Sequence, residues 1–423
     1  MLHRHTLGKI PVKPHTAHYD DDGKLLMEQC LTREGFTGPF SILYFRTPPT
    51  DEFEVEPFAV DGFCPHALVT EQPLHRRHIR PQDLDLRGDF LTARRTLLAN
   101  NELHFNVCKP DQPPRRFFSN GDGDELYFIK QGAGRVECVY GVLPFREYDY
   151  VLIPKSTPYR LCFDGDRATA IVFEGRPYIQ IPGDYRNRFG QLSDFAPYSH
   201  RDFRVPQELL SPAALQSAGG AARASAGGAA RASAARAGAP GGPFEMVVKM
   251  RDELTLHKYE HSPLDVVGWD GAVYPIAFNI RDYQPKTGLV HLPPTIHTTF
   301  AGEGFVICSF VPRRVDWHEK AIPCPYGHAN VDMDEIMYYV EGAFTSRKGI
   351  EPESISLHPL GVPHGPHPGT YEKSIGARET KEMAVMCDTH RPLRLTTVAD
   401  SVEDKQYHTS WVRREGGKDW TSK

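Results

Sequence analysis

The sequence predicts a mainly β protein built from two related barrel units, and three observations predict it. Pro and Gly number 36 each in 423 residues, enough punctuation for many short strands. Short β-branched or aromatic runs bounded by Gly, Pro or Asp recur at 135–140 (RVECVY), 150–153 (YVLI), 168–173 (ATAIVF), Phe305–Phe310 (FVICSF) and 336–340 (IMYYV). A weak internal repeat relates DELYFIKQGA, from Asp124, to DEIMYYVEGA, from Asp334. In each copy a Glu (Glu125, Glu335) precedes a Gly (Gly132, Gly342) by seven residues, as two copies of one β unit would. Helical periodicity is scarce, and 81–100 and 252–257 read as the helices.

Composition bounds the function. Hydrophobic residues are 40% and charged residues 24%, with a net charge of −5 and no basic stripe; a nucleic-acid binder tracking phosphates would need one. No run of 18 apolar residues exists, so no membrane span is expected, and the first residues lack the apolar centre of a signal peptide. The eight cysteines are scattered without a C-x-x-C, which reads as free thiols in a cytoplasmic protein. Residues 217–243 break the pattern. The octad GGAARASA occurs there twice in tandem, and such a segment cannot repay the entropy of folding, so it reads as a disordered insertion.

Twenty histidines make metal chemistry worth seeking. In the second copy His328 and Asn330 lead into Glu335, and Pro359-Leu-Gly361-Val-Pro-His364 follows. Strand alternation would point His328 and Asn330 the same way, and Gly361 permits a tight turn before His364. Two His and one Glu meeting inside a barrel make a facial triad that suits Fe(II) and leaves positions open. This resembles the cupin signature, H-x-H, E, G, then P-x-G-x-x-H, with Asn330 in place of the second His. The first copy keeps Glu125 and Gly132. It carries Phe118 and Asn120 at the H-x-H positions and Tyr159 where the last His would fall. Glu125 alone cannot hold a metal, so the first barrel reads as metal-free.

The runs YGHANVDMDEIMYYVEG (from Tyr326), SLHPLGVPHGP (from Ser356) and YEKS (from Tyr371) resemble the homogentisate 1,2-dioxygenase family, as do GDGDELYFIKQGAGRV and DYVLIPKSTPYRL in the first half. The resemblance implies a bicupin-like chain: an N-terminal β-sandwich or barrel domain over 1–280, metal-free and carrying the insertion, and a C-terminal catalytic cupin (jelly-roll) domain over 281–423. It implies Fe(2+) on His328, Glu335 and His364, and cleavage of homogentisate by O2 to 4-maleylacetoacetate in tyrosine and phenylalanine catabolism. It also implies a homo-oligomer, trimer or hexamer. It places a catalytic His at His291, in LVHLPPTIHTTF, with His297 the weaker candidate; an imidazole can take a phenolic proton near neutral pH. His364 and Phe344 fall at substrate-binding positions.

Two departures bear on the substrate. The family's Tyr two residues after the motif Gly is Phe344 here, and an Arg five residues before the first His ligand is Pro323. Another 2,5-dihydroxyphenyl acid or a hydroquinone is therefore an alternative substrate. A non-oxidative isomerase on the same triad with Mn or Zn, or a binding protein, are alternatives of other classes. Among the remaining histidines, His358 and His367 read as supporting or surface groups, and His75 and His78, in HRRH, as solvated.

Overall fold

The computed structural model describes residues 3–70, 73–211, 214–215, 243–288, 294–342, 344 and 349–412. The insertion read at 217–243 lies, but for Pro243, outside the described residues. Among those described are twenty-three strands and two short α-helices, Thr370–Ser374 and Thr397–Ser401. The chain is mainly β and bicupin-like.

Both expected helices are corrected. Residues Glu253–Tyr259 form a strand between Phe244–Met250 and Glu52–Phe58. Leu254 and Leu256 are buried alternately there, a period of two that the short window hid. In 81–100 only a 3-10 turn, Pro81–Asp83, precedes the strand Arg94–Ala99. That strand is buried on both faces, so its apolar residues show no alternation to separate it from a helix.

Three sheets carry the fold. A four-stranded sheet orders His5–Gly8, Val266–Gly271, Phe40–Phe45 and Met27–Thr32. A thirteen-stranded sheet holds the first copy of the repeat, and a six-stranded sheet holds the second. In the first copy, Asp124–Cys138 lies between Asp149–Ile153 and Tyr159–Gly175, setting Glu125 opposite both Ile153 and Glu174. In the second, Asp334–Glu341 lies between Ile355–His358 and Met383–Thr389, setting Glu335 opposite both His358 and Asp388. The sequence repeat is thus a repeat of strand arrangement. Its glycines have a backbone reason: Gly132 and Gly342 sit at φ of 101° and 110°, in the region that favours glycine. A Cβ on Gly342 would also lie 2.8 Å from the Lys381 carbonyl oxygen.

The sheets share one apolar core that includes Phe128, Tyr150, Phe300 and Tyr338. Strand pairing crosses the chain midpoint in both directions. Arg77–Ile79 forms the edge of the six-stranded sheet against Ile355–His358, and Arg394–Leu395 pairs with Arg94–Ala99. His78, expected to be solvated, is 1% exposed in that edge strand, with Nε2 3.0 Å from Ser354 Oγ. Pairing on the sheet outweighs the hydration of a neutral imidazole there.

The first barrel is filled by charge. Arg94, fully buried, donates to Glu125 and lies 3.2 Å from Glu174, and Tyr159 donates to Glu125 at 2.6 Å. Buried Lys249 donates to Glu174 and stands 3.0 Å from Asp252 and 3.2 Å from Asp122. Burial alone would raise the Glu174 carboxyl, but Lys249, His104 and Arg94 outweigh it and hold it well below the usual range. A carboxylate depressed in the fold contributes stability that is present above its unfolded value, ~4.3, and lost as pH falls below it. In urea melts across pH, Glu174→Gln should start less stable than wild type at pH 7 and lose less on acidification through pH ~4. An acid limb as steep as wild type would assign that loss elsewhere.

Candidate metal centre

One residue of the expected triad sits on a strand and the other two on loops. Glu335 is the second residue of Asp334–Glu341, on a strand buried on both faces. His364 follows the turn at Gly361, where φ is 72°. His328 lies outside the strands and is held by backbone: its N–H donates to the His364 carbonyl and the His364 N–H to the His328 carbonyl, both at 2.8 Å. The loop carrying one imidazole is therefore registered directly on the loop carrying the other.

The structure brings His328, Glu335 and His364 together, with one ligand atom of each inside a 4.8 Å span. His328 Nε2 is 3.8 Å from one Glu335 oxygen, and His364 Nε2 is 3.6 Å from the other. The two imidazole centroids are 4.3 Å apart. The Nδ1 atoms of His328 and His364 lie 3.1 Å from the carbonyls of Tyr326 and Val362. A carbonyl only accepts, so each Nδ1 carries the proton and each Nε2 presents a lone pair toward the carboxylate. That tautomer is the one a metal-binding imidazole needs. The His328 side chain is 32% exposed against 7% for Glu335 and 1% for His364, so among the three the His328 side is the one open to solvent.

Asn330, expected beside His328, serves the turn instead. Its carbonyl accepts from Gly361 and its side chain from Asp332, because the segment is a loop and strand alternation does not apply. Sequence reasoning left His358 undecided between support and surface. It is 1% exposed, donates Nδ1–H to Glu335 at 2.5 Å, and stacks on His364 with centroids 4.2 Å apart and planes at 17°. Missed altogether were Asp388, opposite Glu335, and the hydroxyl pair Tyr339 and Ser356, 3.0 Å apart. The signal for them is period two: 335, 337 and 339 share one face, as do 356 and 358.

The charge balance suits a divalent cation. Burial would raise the Glu335 carboxyl, but the imidazoles of His328, His358 and His364 grouped around it outweigh that and hold the group well below the usual range. Burial and the adjoining Glu335 charge push the Asp388 carboxyl up to about 8. Asp388 Oδ1 and His364 Nε2 are buried without a hydrogen-bond partner. Two carboxyl groups face each other with, among the described residues, no Lys or Arg paired to them, and neutral imidazole nitrogens point inward, which is the donor set of a 2-His-1-carboxylate centre. A second group among the described residues, His104, Glu174 and Asp252, does not fit a metal, because Lys249 already supplies the cation there.

The other expected residues are placed as follows. Phe344 is buried, its ring edge-on to Tyr339 at 4.7 Å. His291 lies outside the described residues. His297 is buried in the 3-10 turn Pro294–His297, its ring 4.5 Å from that of Phe310. All eight cysteines are free, and among the described residues no helix is long and apolar enough to cross a membrane.

Comparison with known proteins points to a dioxygenase family. The family model of the homogentisate 1,2-dioxygenase C-terminal region matches residues 276–415. A Saccharolobus solfataricus protein with a provisional description as a dioxygenase is 33% identical over 97% of this chain and 99% of its own. A homogentisate 1,2-dioxygenase of Pseudomonas entomophila is 25% identical over 72% of this chain and 68% of its own. Among solved structures, a cupin 2 conserved barrel protein from Leptotrichia buccalis aligns over 76% of this chain and 92% of its own, at 9% identity and a TM-score of 0.28, a score that adds nothing to the fold argument.

Proposed function

The chain belongs to the homogentisate 1,2-dioxygenase family, and from that premise we propose that it is an Fe(II) enzyme cleaving the ring of homogentisate with O2 to give 4-maleylacetoacetate, in tyrosine and phenylalanine catabolism. One observation carries the reading: His328, Glu335 and His364 converge within 4.8 Å, with both imidazole Nδ1 atoms tied to carbonyls. In this reading residues 281–423 hold the reacting centre. A cytoplasmic location accords with eight free thiols.

When bound, Fe(II) supplies a Lewis-acidic, redox-active centre at which an aromatic diol and O2 react. The protein's part is positioning and proton handling. His358 holds one oxygen of Glu335 at 2.5 Å, which fixes that carboxylate's orientation. His364 doubles as a wall for the substrate. Phe344 and Tyr339 supply an aromatic surface beside the strand. His291 takes the phenolic proton of the substrate, since an imidazole is half-neutral near pH ~6.5. A second reading rests on Phe344. The hydroxyl pair of Tyr339 and Ser356 lies beside its ring; in this reading the pocket's polar end is shifted along the sheet, toward a relative of homogentisate such as a hydroquinone or another 2,5-dihydroxyphenyl acid.

Oxygen uptake by Fe(II)-loaded protein tests the activity. Homogentisate should consume O2 faster than gentisate or hydroquinone, and silence with all three overturns ring cleavage. Phe344→Tyr should raise homogentisate turnover if that hydroxyl is uncompensated; lower turnover would favour the shifted pocket. Iron analysis tests the ligands: His364→Ala and Glu335→Ala should purify with little iron, whereas Glu125→Gln should keep it. His291→Asn should retain iron and substrate binding but lose turnover by ~10²–10⁴-fold, the usual cost of removing a general base; normal turnover assigns the proton step elsewhere.

A further inference from the structure

We propose that residues 407–411, clamped by Arg76, form a positioning latch on the loop that carries His364, and that this latch sets how tightly the centre holds its metal. The proposal rests on His328, Glu335 and His364 being the metal ligands.

The loop between Ile355–His358 and Thr370–Ser374 contains no strand or helix. No ladder fixes it, so its geometry comes from individual contacts. His364 itself uses its N–H and carbonyl on His328. The carbonyls on either side are both held from outside the loop. The Trp411 indole N–H donates to the Gly365 carbonyl at 3.2 Å, and Arg76 donates to the Pro363 carbonyl at 3.4 Å. Trp411 then stacks on His367, centroids 4.0 Å apart and planes at 19°, while Ser410 Oγ lies 2.7 Å from His367 Nε2.

The two halves of the latch hold each other. The Arg76 guanidinium lies 4.2 Å over the Trp411 ring and donates to the His408 carbonyl at 3.3 Å. A guanidinium on an indole face is a favourable pairing. Tyr407, 2% exposed, packs edge-on to Trp411 at 5.2 Å and beside His78 at 5.3 Å, which anchors the segment to the edge of the six-stranded sheet. None of these side chains belongs to the ligand set. They restrict where His364 can be, and a ligand already in place need not be ordered when the ion binds. Outer groups that orient ligands typically alter metal affinity by ~10–100-fold when removed.

Co(II), which is not consumed by O2 chemistry, is the probe. Its affinity is read on the purified full chain by competition with a chelator, its geometry by visible absorption, and the stability of the metal-free chain by thermal melting. Trp411→Ala and Arg76→Ala should weaken Co(II) binding ~10-fold or more and perturb the visible bands, with metal-free melting close to wild type. Trp411→Phe and Arg76→Lys should recover part of the affinity, since each keeps half of the stack. Wild-type affinity and bands in both alanine variants overturn the latch. So does an affinity loss that merely tracks a lower melting temperature and is not recovered in Trp411→Phe. Should an alanine variant fail to fold, the two conservative variants decide alone by the same comparison. His364→Ala separates the premises: if it binds Co(II) as wild type does, the ligand assignment fails, whereas loss there with no effect of the latch variants overturns the latch only.

Discussion

Everything around the centre follows from putting the Glu335 carboxylate inside a barrel. A charge removed from water is costly unless it is answered by hydrogen bonds or by an opposite charge. Here one answer comes from His358, and the remaining room is bounded by the inward nitrogens of His328 and His364. Those two imidazoles could not face the carboxylate reliably as free loops. Their reciprocal backbone bridge and the carbonyls capping each Nδ1 turn them into a fixed receptor. The strand supplies the charge, the loops supply the donors, and the bridge keeps the loops in register with each other.

The first barrel runs the same plan with a different cation. Glu125 and Glu174 face each other across neighbouring strands just as Glu335 and Asp388 do. In the first barrel Arg94 bridges the two acids and Lys249 pairs with Glu174 from the other side, and the Glu174 carboxylate stays ionised. Among the described residues the second has no such side chain, and burial beside the Glu335 charge pushes the Asp388 carboxyl up to about 8. The duplicated scaffold thus poses one electrostatic problem twice. Once it is solved by a covalently attached cation, and once it is left open to a mobile one. Replacing His364 with Tyr159, whose hydroxyl donates to Glu125, belongs to the same change.

The fold class and the convergence of His328, Glu335 and His364 were legible because both depend on short-range rules. Glycines at positive φ, seven residues after each Glu, survive as letters in the sequence, and turn-bounded apolar runs report strands directly. The failures have physical causes. Residues 252–257 were too few to separate period two from period 3.6, and 94–99 is buried on both faces. Asn330 was read on a strand that stops short of it. His78 was judged by its arginine neighbours in the sequence, yet its environment comes from Ser354 across a sheet. The contacts of Arg76 with Pro363, His408 and Trp411 depend on three distant segments meeting, and no local pattern encodes that.

The edge strand Arg77–Ile79 has a consequence for how the chain is made. Its partner Ile355–His358 leaves the ribosome some 276 residues later, the separation of His78 from Ser354. Through most of synthesis this segment must wait with its backbone donors and acceptors unmatched. Such late, non-local closure slows folding and exposes sticky edges. The sheet that carries Glu335 and His358 is therefore completed only when the first hundred residues and the last hundred come together. Activity should emerge after translation as a single late event, and this chain would be a demanding client for chaperones that shield unpaired strands.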